Sequence, residues 1–123
     1  MKQLLLIFIG GGFGSLLRFL ISRSLNDHFP NFYLGTFLVN GIGCLLIGFL
    51  LGLSMKTNIL SQNQTLLLTT GFCGGFTTFS TFAMEGHYLL KDSNLLHFSF
   101  YTILSIAVGI IAVSLGLWTS KLL

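Results

Sequence analysis

Apolar positions in this chain do not alternate with polar ones; they run on without a break. Four such stretches, at about residues 4–25, 32–55, 65–90 and 95–120, take up most of the 123 residues. Arg18 and Arg23 are the charges in the first, Glu85 is the charge in the third, and the second and fourth carry none. About 20 apolar residues cross a bilayer as a helix, so each stretch is long enough to be a membrane span. The links at 26–31, 56–64 and 91–94 are short and polar and leave no room for a soluble domain. Ser61 with Gln64 three residues on reads as a capping box opening the third span. Pro30, the only proline, falls in the first link, where no helical hydrogen bond is lost. The pattern predicts an all-α membrane protein, one four-span domain over residues 1–123.

Composition narrows the function classes. Charged residues are 7% of the chain, against about 25% in soluble domains. Six Lys and Arg against three Asp and Glu leave a net charge of +3, too small and too scattered to track nucleic acid. Lys2 followed by an apolar run resembles a signal peptide, but no small-x-small site follows and Arg18 and Arg23 interrupt it. The first stretch is therefore read as a retained span. Cys44 and Cys73 lie in different stretches without metal-ligand spacing and read as small packing residues. No nucleophile–base pair or metal set appears, so the pattern argues against an enzyme.

Four spans put both termini and the second link on one side. That side holds Lys2, Lys56 and Lys121; the other holds Arg23 and Lys91, with Arg18 added if it reaches the interface. Orientation follows an excess of Lys and Arg on one side, and here the two sides nearly tie. Such a chain is expected to insert both ways, which permits an antiparallel dimer. Trp118, near the end of the fourth stretch, reads as part of an aromatic belt, and His87 and His97 as interfacial residues.

Fifteen glycines add a packing signal. Small residues four apart let membrane helices approach closely, and Gly10/Gly14, Gly48/Gly52 and Gly71/Gly75 fit that spacing. Packing within one protomer is one use of such faces, and an interface between subunits is the other. Four short, tightly packed helices enclose no cavity, so transport is easiest to build between subunits.

The third stretch holds the least ordinary chemistry. Gly71-Phe72-Cys73-Gly74-Gly75-Phe76-Thr77-Thr78-Phe79-Ser80-Thr81-Phe82 mixes glycines, hydroxyls and phenylalanines. Paired glycines followed by two threonines are poor helix formers, and a break there frees carbonyls at Gly74, Gly75 and Thr77. Irregular backbone at membrane depth is tolerated where it lines a cavity or holds an ion. Gly74 is expected to need backbone angles that a branched residue resists. Phe76, Phe79 and Phe82 are three apart and would share a helix face, with Thr77, Ser80 and Thr81 beside them. A glycine-kinked helix with plain aromatic packing is the alternative.

These residues carry a resemblance. Gly71–Phe82 resembles the broken-helix motif of the Fluc (CrcB) family of fluoride channels. Gly11-Gly12-Phe13-Gly14-Ser15-Leu16-Leu17-Arg18-Phe19 is similar to its first-helix motif. Leu34-Gly35-Thr36-Phe37-Leu38-Val39-Asn40-Gly41-Ile42-Gly43 is similar to its second. The resemblance spans the whole chain. It implies an antiparallel, dual-topology homodimer of four-span subunits in the cell membrane, the third helix broken mid-membrane, letting fluoride leave the cell passively and so lowering its toxicity. It also implies a structural sodium ion at the dimer centre, held by the backbone carbonyls of Gly74 and Thr77. The implied pathway residues are Asn40, Phe79 and Phe82, with Tyr101 and Ser105 on the fourth helix and Arg18 and Glu85 as charges nearby. Gly109 stands one turn beyond Ser105, where the family often has a hydroxyl.

The chemistry of fluoride is compatible with that reading. The ion is small and strongly hydrated, so a pore must replace its water with donors, and Asn40, Thr77, Ser80, Thr81, Tyr101 and Ser105 can donate. Phenylalanine offers an anion its partly positive ring edge, and sites of this kind also release, as conduction requires. Two other functions compete. A proton-coupled exporter needs an intramembrane carboxylate, and Glu85 is the only one; a non-transporting assembly subunit would explain the glycine faces but not the hydroxyls and phenylalanines. Arg18 snorkelling to the interface, Glu85 as an interfacial cap and Asn40 as an interhelical hydrogen-bond partner remain alternatives to pathway roles.

Overall fold

Uninterrupted apolar sequence gives three long helices: α1 (Lys2–Leu25), α2 (Leu34–Ser54) and, at the C-terminal end, α6 (Leu95–Ser120). Their 24, 21 and 26 residues correspond to about 36, 32 and 39 Å of helix, against a hydrocarbon core of about 30 Å. All three are long and apolar enough to cross a membrane. The structure is a computed structural model and describes residues 1–56 and 59–123. Among the described residues there is no strand, only one isolated bridge between Phe29 and Phe32 in the first link.

The third apolar stretch is built from pieces. Ser61 opens it with the capping box the sequence predicts: its hydroxyl accepts from the Gln64 amide, and the Gln64 side chain accepts from the Ser61 amide. A short α3 (Gln62–Thr65) leads into a π-helix, Leu66–Cys73, and then α4 (Gly74–Phe76). Thr65 and Thr69 hydroxyls donate to carbonyls four residues back, at 3.1 and 2.7 Å. Back-bonding of this kind loosens a helix, and the wide turns run through the same segment. Thr77 (φ −84°, ψ 156°) and Thr78 (φ −148°, ψ 117°) are extended. The chain turns helical again at α5 (Phe79–Lys91), where the Thr78 hydroxyl caps the Thr81 amide at 3.2 Å.

Close packing explains most of the glycines. α1 lies along the π-helix and α4, and α2 lies along α6. A Cβ on Gly10 or Gly14 would strike the backbone of Leu67 or Phe72; one on Gly48 would strike Val113, and one on Gly75 the Gly11 carbonyl. The glycine pairs read from spacing thus serve contacts inside the protomer. Little is left as an interior: Val39, Cys73, Phe76, Leu89 and Tyr101 are among the few buried large side chains, while Phe8, Phe13, Ile103 and Ile110 face outward.

Candidate functional site

The two extended threonines set the geometry of the site. Thr77 ends the preceding helix on the Cys73 carbonyl, which accepts from the Thr77 amide and hydroxyl, both at 3.0 Å. Thr78 is buried and its hydroxyl donates to that of Thr81 at 3.0 Å and lies 3.4 Å from that of Ser80. Asn40, two turns into α2, meets the same residue. Its Oδ1 accepts from the Thr78 amide at 2.7 Å, and its Nδ2 donates to the Thr78 carbonyl at 3.1 Å. From α1, Arg18 Nε and Ser15 Oγ donate to the Gly75 carbonyl at 3.0 and 3.3 Å.

Beside the two extended threonines lies an open groove of about 300 Å³, lined by Asn40, Gly74, Thr77, Thr78, Phe79 and Phe82 among others. Phe79 is 80% exposed, standing off the protomer surface. Its ring centroid is 6.0 Å from that of Phe82, whose own ring is 5.4 Å from Tyr101. Phe82 thus stands between the groove and a second, buried cluster.

That cluster centres on Glu85, which is 5% exposed. Thr36 Oγ1 donates to its Oε1 at 2.6 Å and Tyr101 donates to its Oε2 at 2.7 Å. Asn26, at the end of α1, donates from Nδ2 to Glu85 Oε1 at 3.3 Å and to Thr36 Oγ1 at 3.2 Å, while its Oδ1 accepts from the Thr36 amide at 3.0 Å. A buried carboxylate is tolerable when donors surround it, and here they come from α1, α2 and α6. One turn beyond Tyr101, Ser105 has a buried hydroxyl with no partner among the described residues. At Gly109 the missing side chain leaves room that Cys44 fills: a Cβ there would lie 3.5 Å from its Sγ.

The structure therefore brings Asn40, Gly74, Thr77, Phe79 and Phe82 to one groove and puts Glu85 and Tyr101 behind it. Two expectations are corrected. Phe76 does not share a face with Phe79, because the extended threonines intervene; Phe76 is buried and stacks on Phe72 at 5.5 Å. Gly74 sits at ordinary helical angles (φ −62°, ψ −37°), and the nearest atom to a Cβ there is 3.9 Å away. Neither backbone angles nor space within the protomer demand glycine at this position. Sequence reasoning passed over Ser15, Asn26, Thr36 and Thr78 as participants. For Thr78 a signal exists, since a threonine before a new helical run is a favoured N-cap.

Comparison with known proteins shows what the chain is similar to. The family model described as CrcB-like protein, Camphor Resistance (CrcB), matches residues 5–117. A protein of Phocaeicola vulgatus named fluoride-specific ion channel FluC is 48% identical over 122 residues, covering 98% of this chain and 100% of that one. Proteins of the same name from Bacteroides fragilis and Gloeothece citriformis are 49% and 46% identical. The first alignment covers 94% of both chains and the second 98% of both. With three long apolar helices and relatives that are ion channels over nearly their full length, this is a multi-pass membrane protein and not an enzyme.

Proposed function

Because the chain belongs to the CrcB family, we propose that it is a fluoride channel of the cell membrane, passive and protective against fluoride toxicity. The working unit is an antiparallel homodimer of dual-topology subunits, each crossing the bilayer four times with the third span broken near its middle. One observation carries the reading: the break, Asn40 and the two phenylalanines all open on one groove at the protomer surface. An 80% exposed Phe79 standing over polar backbone has its natural cover in a second subunit.

In this reading fluoride exchanges its water for donors along Ser80, Thr81, Asn40 and Ser105, with the edges of Phe79 and Phe82 between them, while Tyr101, its one hydrogen held by Glu85, backs the Phe82 ring. The unpartnered Ser105 hydroxyl supports a polar occupant at that level. Asn40 spends Oδ1 and one amide hydrogen on Thr78, which leaves its second hydrogen for the path. Arg18 and Glu85 are held by neighbours and act on the path at a distance.

The carbonyls of Gly74 and Thr77 would hold the structural sodium ion. Both accept no hydrogen bond among the described residues, so the donor set fits a hard monovalent cation. The ion would supply fixed positive charge and join the two breaks; it is not transported. Glu85 fits a proton-coupled exporter poorly, since its two oxygens already take three side-chain donors.

Fluoride efflux from liposomes, measured with a fluoride electrode and no pH gradient, tests the function. Rapid efflux with chloride retained is the expected result. Efflux that appears only with an imposed proton gradient would move the protein to the exporter class, and no efflux would leave an assembly role.

A further inference from the structure

A break in a membrane helix frees backbone groups that lipid cannot satisfy. Here they are sorted one peptide at a time. The Cys73 carbonyl is taken by Thr77 itself. The Gly75 carbonyl is taken by Arg18 and Ser15 of α1. The Thr78 amide and the Thr78 carbonyl, from successive peptides, are both taken by Asn40 of α2. The carbonyls of Gly74, Phe76 and Thr77 accept no hydrogen bond among the described residues. Two helices from different parts of the protomer thus occupy Gly75 and Thr78 and leave their neighbours Gly74 and Thr77 open.

We infer that Arg18, Ser15 and Asn40 are positioning residues of the helix break, clamping the Gly75 and Thr78 peptides and so deciding which carbonyls remain free for a cation. The cation half of this statement rests on the channel reading above; the clamp does not.

The chemistry of each side chain matches its task. A primary amide carries an acceptor and a donor in one plane, so Asn40 can pair with both polar groups of Thr78 as a neighbouring strand would. Aspartate would keep only the acceptor, and alanine neither. Arg18 makes its contact through Nε, part-way along the side chain. Lysine keeps the charge but carries its donors at the tip, so it cannot place one at that point. Close approach makes the reach possible: Gly11 and Gly75 pack backbone against backbone, and a Cβ on Gly75 would strike the Gly11 carbonyl. Arg18, about two turns further along the same face of α1, therefore reaches the Gly75 carbonyl, and its role is positional rather than interfacial.

Two readouts test the clamp, both on the full-length protein in liposomes. The first is hydrogen exchange at the Thr78 amide. Asn40→Ala should speed exchange there on the order of tenfold, the scale of one lost hydrogen bond, while Asn40→Asp, which keeps the acceptor, should retain protection. The second is the sodium dependence of the thermal midpoint, titrated with sodium chloride against a bulky organic chloride. Arg18→Lys and Arg18→Met should need alike about tenfold more sodium, and Ser15→Ala a few times more, because a charged donor contributes more than a neutral one. Ser15→Ala loses only the weaker contact and keeps the test open if the arginine variants do not fold. Unchanged Thr78 exchange in Asn40→Ala, or a Lys variant that responds to sodium as wild type does, would overturn the inference. If the wild type shows the exchange pattern but carries no fluoride, the channel reading fails and the clamp stands.

Discussion

Tyr101, fully buried on α6, donates its phenol hydrogen to Oε2 of Glu85 at 2.7 Å. With Thr36 on Oε1 at 2.6 Å, it ties α5 to α6 and α2 through one carboxylate. Removing the Tyr101 hydroxyl leaves Oε2 without a side-chain donor, at a cost of about 1–3 kcal/mol, and removing that of Thr36 leaves Oε1 to the longer contact from Asn26 alone. Tyr101→Phe and Thr36→Val are each expected to lower the thermal midpoint in detergent. The double variant should cost less than the two together, because Glu85 is free to turn once one tie is gone. Strictly additive losses in a scanning fluorimetry cycle would show that the two contacts are independent.

Adjacent glycines of α4 make opposite demands. Gly75 faces the Gly11 carbonyl with no space for a Cβ, while Gly74 is exposed and has space. Gly75→Ala should push α1 from the break and reduce the yield of folded protein. Gly74→Ala should fold as well as wild type yet weaken the dimer, since its open side is the proposed subunit contact. Light scattering on the purified variants separates these outcomes. A dimer of wild-type strength in Gly74→Ala would place the subunit contact elsewhere.

Much of this was legible in the sequence because it rests on local rules. Long apolar runs fixed α1, α2 and α6, and Ser61 and Gln64 marked the start of the third stretch through a contact three residues long. The paired threonines coincide with the extended backbone between α4 and α5. What was not legible depends on neighbours distant in sequence. Asn40 meets Thr78 across 38 positions, and Arg18 meets Gly75 across 57; no local pattern announces either. Phe76 went astray for the opposite reason: a helical period was carried across two residues that are not helical. The need for glycine expected at Gly74 falls on Gly75, where backbone contact and not backbone angle excludes a side chain.

Orientation gives a further test. Arg18 is engaged by the Gly75 carbonyl, so it drops out of the count of interfacial charges. In the proposed four-span subunit that leaves Lys2, Lys56 and Lys121 on one side against Arg23 and Lys91 on the other, an imbalance of one charge. The positive-inside bias is then weak. A C-terminal tag should be reached by a membrane-impermeant reagent in a fraction of molecules from each side. Adding two lysines after residue 121 should collapse the population to one orientation and reduce efflux, while a single orientation in the unmodified protein would exclude the dual-topology dimer.

Phe79 and Phe82 offer the sharpest separation of pathway from packing. Within a protomer Phe79 touches little beyond Phe82, being 80% exposed, whereas Phe82 also packs on Tyr101. Isoleucine keeps bulk and hydrophobicity at either position but removes the polarised ring edge. If the rings serve fluoride, Phe79→Ile and Phe82→Ile should both cut efflux at least on the order of tenfold, the scale of one lost contact of about 1.4 kcal/mol. Stability should part them. Phe79→Ile should leave the thermal midpoint nearly unchanged, since isoleucine keeps the apolar bulk offered to the second subunit and Phe79 has little packing within its own protomer, and Phe82→Ile should lower it by loosening Tyr101 and, through it, Glu85. Full efflux in both variants, with the midpoint lowered only in Phe82→Ile, would return the two rings to ordinary packing and leave the donors alone to carry the ion.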